Sequence, residues 1–184
     1  MQGKFHIGAS FKLGGPDLEK FQNFINFRWK KDFEKKLDRA TGRAAQYIRS
    51  EIRRRILDRQ YVPNTLYTAR RKGFNTVEEA IPLVHTGGLI REALMVVKLK
   101  TLVWEVGVIG DKPSRTTGAP AKKYVRALHE GLTSTMTING KTRTFRIPPR
   151  PFLRAVWEDM VVQNRVHREW RDAIIDVLKK HGKL

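Results

Sequence analysis

The run Ile147-Pro148-Pro149-Arg150-Pro151-Phe152-Leu153 limits the possible folds of this chain more than any other stretch. Each proline holds φ at about −65° and withdraws a backbone donor, and each residue before a proline is pushed into an extended conformation. Residues 147–150 therefore continue neither a helix nor a central strand, and the run is a rigid corner. Pro151 suits the first turn of a helix that follows. Upstream, Asn139-Gly140 is the strongest hairpin signal in the chain, because a two-residue type I′ turn demands positive φ at both positions. The predicted hairpin spans Thr135 to Ile147, with Thr137 opposite Thr142 and Thr135 opposite Thr144 on a hydroxyl-bearing face. Met136, Ile138, Phe145 and Ile147 form the alternate, apolar face. Downstream, Phe152, Val156, Met160, His167, Trp170, Ile174 and Leu178 predict one terminal helix with Gly182 just past its end. Glu158-Asp159 falls in its first turns, where acidic groups suit the positive end of the helix dipole.

The N-terminal half carries the clearest period. Phe33, Leu37, Ala40, Ala44, Ile48, Ile52 and Ile56 recur every three or four residues and predict a long helix with one buried face. Gly42 inside it costs about 1 kcal/mol relative to alanine and allows a close approach by another helix. Before it, Gly14-Gly15-Pro16-Asp17 reads as a turn after an extended arm, with Asp17 capping a short helix that carries Leu18, Phe21, Phe24, Ile25 and Phe27. Pro63-Asn64 closes the long helix region, and Leu66 to Pro82 reads as a basic surface loop. Thr86-Gly87-Gly88 caps a short helix over Leu89 to Leu94. Strands follow at Met95 to Leu99 and Leu102 to Ile109, joined by a turn at Lys100-Thr101. Asp111 to Lys123 is a polar basic loop before a short helix at Tyr124 to His129. The expected organisation is an arm and short helix over residues 1–30 and a single α+β domain over residues 31–184. That domain has a small antiparallel sheet and a protruding hairpin packed against a long N-terminal and a long C-terminal helix.

Charge sets the second constraint. Of 184 residues, 37 are Lys or Arg and 18 are Asp or Glu, a net charge of +19. A free chain with this charge repels itself, so nucleic acid, an acidic protein surface or an assembly near polyphosphate is the expected compensation. The 40% hydrophobic content, with nine Phe and four Trp, still argues for a folded core. Cysteine is absent, which excludes disulfides and thiolate metal sites. No run reaches the ~18 apolar residues of a spanning helix, and Met1 to Leu13 lacks a signal-like apolar core. Arg39 and Arg43, Arg49 and Arg53, and Arg55 and Arg59 lie four apart, so the long helix carries charge on more than one flank. Solvation and subunit salt bridges account for that as well as a partner does. Between residues 112 and 150 the imbalance is sharper, with Lys112, Arg115, Lys122, Lys123, Arg126, Lys141, Arg143, Arg146 and Arg150 set against Glu130 alone. Arg115, Lys122, Lys123, Arg126, Lys141, Arg143 and Arg146 are the candidates for contact with DNA phosphates or an acidic partner. Arg150, held between prolines, is expected instead to tie the corner to a carboxylate or to carbonyl groups.

No catalytic set emerges. The five histidines are scattered without metal-ligand spacing, and neither a P-loop nor a nucleophile elbow occurs. His129-Glu130 are sequence neighbours whose side chains point apart, so they do not make an acid/base pair. Trp104, Trp157 and Trp170 read as core or interface anchors. No catalytic, cofactor or metal site is therefore expected.

Three segments in order carry a resemblance: Pro82-Leu83-Val84-His85-Thr86-Gly87-Gly88-Leu89, Tyr124 to Gly131, and Pro149-Arg150-Pro151-Phe152-Leu153. They are similar in sequence and spacing to the neck and tail-completion proteins of tailed bacteriophages, also called virion morphogenesis proteins. In that family a P-L-V-x-T-G-x-L segment opens a short helix, a Y-x-x-x-x-H-E-x-G-like segment precedes a loop or hairpin, and P-x-R-P-F-L starts the last helix. The resemblance covers about residues 30 to 180; the N-terminal arm and the Asp111 to Lys123 loop lie outside its motifs. One departure is that Gly131 follows Glu130 directly. The resemblance implies a non-enzymatic virion protein, made in the host cytoplasm and placed in the neck. There it would form a ring of six or twelve copies between the head-side connector or adaptor and the tail terminator or tail tube, around double-stranded DNA. It points to Arg150, Pro151, Phe152, Thr137, Thr142 and Phe145 as subunit-interface candidates. A basic nucleic-acid-binding or packaging protein acting without a ring is the alternative, and a metal-dependent nuclease a third.

Overall fold

The computed structural model describes residues 30–80, 93–108, 121–138 and 140–181. The expectations for the N-terminal arm and its helix, the Thr86-Gly87-Gly88 cap, Arg115, Asn139 and Gly182 lie outside those residues. The chain is α+β, with two long helices and two small antiparallel two-stranded sheets. Its described residues form two compact units, one of 30–48, 96–106 and 159–181, the other of 49–80, 93–95, 107–108 and 121–158 without 139.

Helix α1, Lys30–Leu57, follows the predicted period: Leu37, Ala40, Ala44, Ile48, Ile52 and Ile56 are buried. It ends without glycine, because Arg59 itself takes the left-handed cap conformation at φ 58° and the Gln60 N–H reaches back to the Arg55 carbonyl at 3.1 Å.

In the first unit, the start of α1 lies against α5, Met160–Lys180, in antiparallel sense. Asp32 pairs with Lys180, Lys36 with Asp176 at 3.4 Å, and Arg43 with Glu169 at 2.7 Å. Between these pairs Leu37, Ala40 and Ala173 form a core on which Phe33, Leu102, Trp170 and Ile174 pack. Strands β1, Leu94–Lys100, and β2, Val103–Val108, make a hairpin that joins the same helix. The turn sits at Thr101-Leu102, one residue later than predicted. Leu102 accepts φ 64° because its N–H donates to Asp38 at 3.0 Å. Gly42 serves a strand rather than a helix, since a Cβ there would stand 2.9 Å from the Trp104 ring.

The single terminal helix predicted from Phe152 onward is interrupted. Helix α4, Arg154–Trp157, stops, and Asp159, at φ −75° and ψ 120°, accepts the Val161 N–H at 2.7 Å and caps α5 as a new helix. The restart rotates the apolar face: Val162, Val166, Ala173 and Val177 are buried, while Met160, predicted inside, is 67% exposed and His167 is exposed too.

In the second unit, the expected loop after Pro63 contains helix α2, Leu66–Arg71, because Thr65 accepts the Thr68 N–H and caps it. Helix α3, Ala121–Glu130, starts earlier than predicted, so Lys122 and Lys123 belong to its first turn and not to a loop. Strands β3, Leu132–Ile138, and β4, Lys141–Ile147, pair in the predicted register, with Thr137 opposite Thr142 and Thr135 opposite Thr144.

Candidate functional site

The proline corner is tied into the second unit through both backbone and side chain. Helix α3 ends at Gly131, whose φ of 80° only glycine adopts freely. A Cβ at Gly131 would lie 3.1 Å from the Ile147 carbonyl oxygen and from both N and Cδ of Pro149, so the end of the helix and the end of the hairpin touch backbone to backbone. Arg150 completes the closure. Its N–H donates to the Leu128 carbonyl at 2.8 Å, while its guanidinium donates from Nε to Val62 O at 2.8 Å and from Nη2 to Pro63 O at 3.1 Å. The residue is 5% exposed and is held by carbonyls, one of the two partner types expected from the sequence, and burial lowers its pKa. Arg suits this place because its fork offers several donors and stays charged.

Phe152 is fully buried, with the His129 ring meeting it edge-on at 5.7 Å between centroids. Desolvation lowers the His129 pKa, against the raising effect of Glu130. The Tyr61 hydroxyl donates to the Phe152 carbonyl at 3.4 Å, and burial pushes that phenol up to about 12. Behind the corner, Arg55 reaches the Ala155 carbonyl at 3.2 Å and Glu51 at 2.8 Å; Arg54 holds Glu51 from the other side at 2.7 Å. The Arg54 hydrogen bond is the main reason the Glu51 carboxyl falls to about 2, despite burial and with Arg55 adding to the effect. Lys72 is lowered to about 8 by burial and by the nearby Arg150 charge.

The segments Tyr124 to Gly131 and Pro149 to Leu153, which flank the hairpin in the chain, thus close into one latch. What it carries is the β3–β4 hairpin, whose strands pair only with each other among the described residues. Thr137 and Thr142 are exposed, Phe145 and Ile147 are half-buried, and Leu132 is exposed. Arg150 and Phe152, named as interface candidates, spend their side chains inside the unit, which leaves Pro151 as the exposed member of that trio. Both side chains are held next to the base of the hairpin.

The basic candidates among the described residues sit on two elements, α3 and β4. Arg126 is paired with Glu130 at 2.9 Å. Lys141 stands opposite Ile138 and Arg143 opposite Met136, whereas Arg146 stands opposite Thr133 in the set of positions that also holds Thr137 and Thr142. Lys122 and Lys123 sit at the start of α3. Two acids did not stand out in the sequence. Glu51 is one, and Asp38 is the other, receiving Lys98, the Leu102 N–H and the Trp104 Nε1–H. Desolvation raises the Asp38 pKa, but these donors outweigh it and the net shift is downward. The one sequence signal is position, since each acid lies on the flank of the buried stripe of α1.

Among the described residues no group of three or more His, Cys, Asp or Glu is arranged to hold a metal ion, and no helix is long and apolar enough to cross a membrane. Compared with protein-family models, curated proteins and solved structures, the chain matches none.

Proposed function

We propose that this chain is a structural subunit of the neck of a tailed bacteriophage, closing into a homomeric ring that joins the head connector to the tail around the DNA passage. The observation that carries this reading is the latch. Two of the three segments that resemble the tail-completion family, at residues 124–131 and 149–153, meet through the Arg150–Leu128 hydrogen bond and the Gly131–Pro149 contact. A rigid mount of this kind holds a two-stranded hairpin at a defined angle, and each strand keeps an outer edge that another chain can extend. Threonine-bearing strands suit such edge pairing.

Negative-stain electron microscopy and native mass spectrometry of the purified protein test the proposal. Closed rings of six or twelve copies are expected. Monomers or dimers at every concentration and salt, with a folded helical spectrum, would instead favour the nucleic-acid-binding alternative.

A further inference from the structure

The basic flank of α1 divides into cations that are used and cations that are not. Lys36 and Arg43 are spent on Asp176 and Glu169, whereas Lys31, Lys35 and Arg39 are exposed and have no ion pair or hydrogen bond among the described residues. These three recur at a spacing of four, which places charges on one face at steps of about 6 Å along the helix. Lys35 and Arg39 border a shallow concavity of about 140 Å³, completed by Asp32, Lys36, Val177 and Lys180. Asp32 is occupied by Lys180 and by His181 at 3.5 Å, so it does not neutralise the row. A cavity of this size is too small for an ordinary small-molecule ligand, which fills about 300–1,000 Å³, but it admits one phosphate-sized group of a larger polyanion.

We infer that Lys31, Lys35 and Arg39 form a docking row for the phosphate backbone of duplex DNA, read without regard to sequence, with one phosphate seated between Lys35 and Arg39 and another at Lys31. The surroundings favour this occupant. Protein interfaces deplete lysine at their centre and enrich exposed aromatic and apolar anchors, and none of the large apolar side chains exposed among the described residues lies between residues 30 and 41. Single-strand sites interleave aromatics for base stacking, and the aromatic of this stretch, Phe33, is packed on the core. The row differs from the loop and hairpin candidates named from sequence, and it operates whether or not copies of the chain close into a ring.

The test is binding of the full chain to two unrelated 30-base-pair duplexes across a salt series, compared with the triple variant Lys31→Gln, Lys35→Gln, Arg39→Gln. Equal affinity for both duplexes is expected. Two lost phosphate contacts reduce the slope of log K against log salt by about 1.8 per bound subunit, so a fourfold rise in salt weakens the native protein roughly 12-fold more than the variant. The charge-conserving triple Lys31→Arg, Lys35→Arg, Arg39→Lys keeps the native slope. An unchanged slope in the glutamine variant overturns the inference, as does a lost slope in the charge-conserving one. Polyglutamate displacing DNA at equal charge concentration overturns it in favour of an acidic protein, and tighter binding of single-stranded DNA overturns it in favour of a stacking site.

Discussion

Replacing Gly131 by alanine probes the latch directly, and Gly73 supplies its control. Both glycines have nearly the same positive φ, 80° and 84°, so alanine pays a similar left-handed penalty at each, about 1–2 kcal/mol. Their surroundings differ. Nothing lies within 4 Å of a Cβ at Gly73, whereas at Gly131 the Cβ meets the Ile147 carbonyl oxygen and the Pro149 ring at 3.1 Å. Those atoms cannot yield cheaply, because the proline ring is stiff and the Arg150 N–H next to it is bound to Leu128. Overpacking of this kind costs about 1–3 kcal/mol. The expected losses are therefore about 1–2 kcal/mol for Gly73→Ala and about 2–5 kcal/mol for Gly131→Ala, a large part of the ~5–15 kcal/mol that holds a typical domain. Urea denaturation of each full-length variant, followed by circular dichroism with native-like slopes, measures the difference. Equal destabilisation by the two substitutions would refute the close contact between the end of α3 and the proline corner.

Arg150→Ala removes two charged hydrogen bonds to Val62 and Pro63 and opens a void, partly offset by relief of a buried charge; a loss of about 2–4 kcal/mol is expected in the same denaturation assay. Arg150→Lys restores little of it, since one ammonium lacks the planar fork. Glu51 sets a pH dependence: its folded pKa of about 2 lies below the ordinary 4.5, so its contribution is complete above pH 4.5 and is lost as pH falls toward 2. That contribution is on the order of 2 kcal/mol once the solvent around half-exposed Arg54 is allowed for, and a Glu51→Gln chain should show a correspondingly flatter acid-side stability profile. Gly42→Ala separates local from tertiary control by its sign: helix propensity alone stabilises by about 1 kcal/mol, but the Trp104 ring, held by Asp38, stands 2.9 Å from the new Cβ and makes the substitution destabilising in a thermal melt.

Much of the architecture was legible because its causes are local. The buried stripe of α1 needs only the spacing from Leu37 to Ile56, and the register of β3 and β4 follows from where Asn139-Gly140 places the turn. The angular run at Pro148 to Pro151 and its carbonyl-seeking arginine were also readable, since proline geometry and arginine donors do not depend on distant residues. The helix break was harder to see because Asp159 is both a good first-turn acid and a good cap. Only its extended backbone, with the side chain on the Val161 N–H, reveals the second role, and that choice decides whether Met160 faces inward or outward.

By itself, then, the sequence determined the α+β class, the long helix and its buried face, the hairpin register, the stiff corner and the excess of positive charge. The tertiary structure alone decided which charges are consumed and which remain. Lys36 and Arg43 find acids 140 and 126 residues away, Arg150 finds carbonyls 88 and 87 residues away, and Lys31, Lys35 and Arg39 find no acid among the described residues. The physical reason is range: propensity, capping and turn geometry act within a few residues, whereas a charged group is paired only by whatever the folded chain brings within about 4 Å.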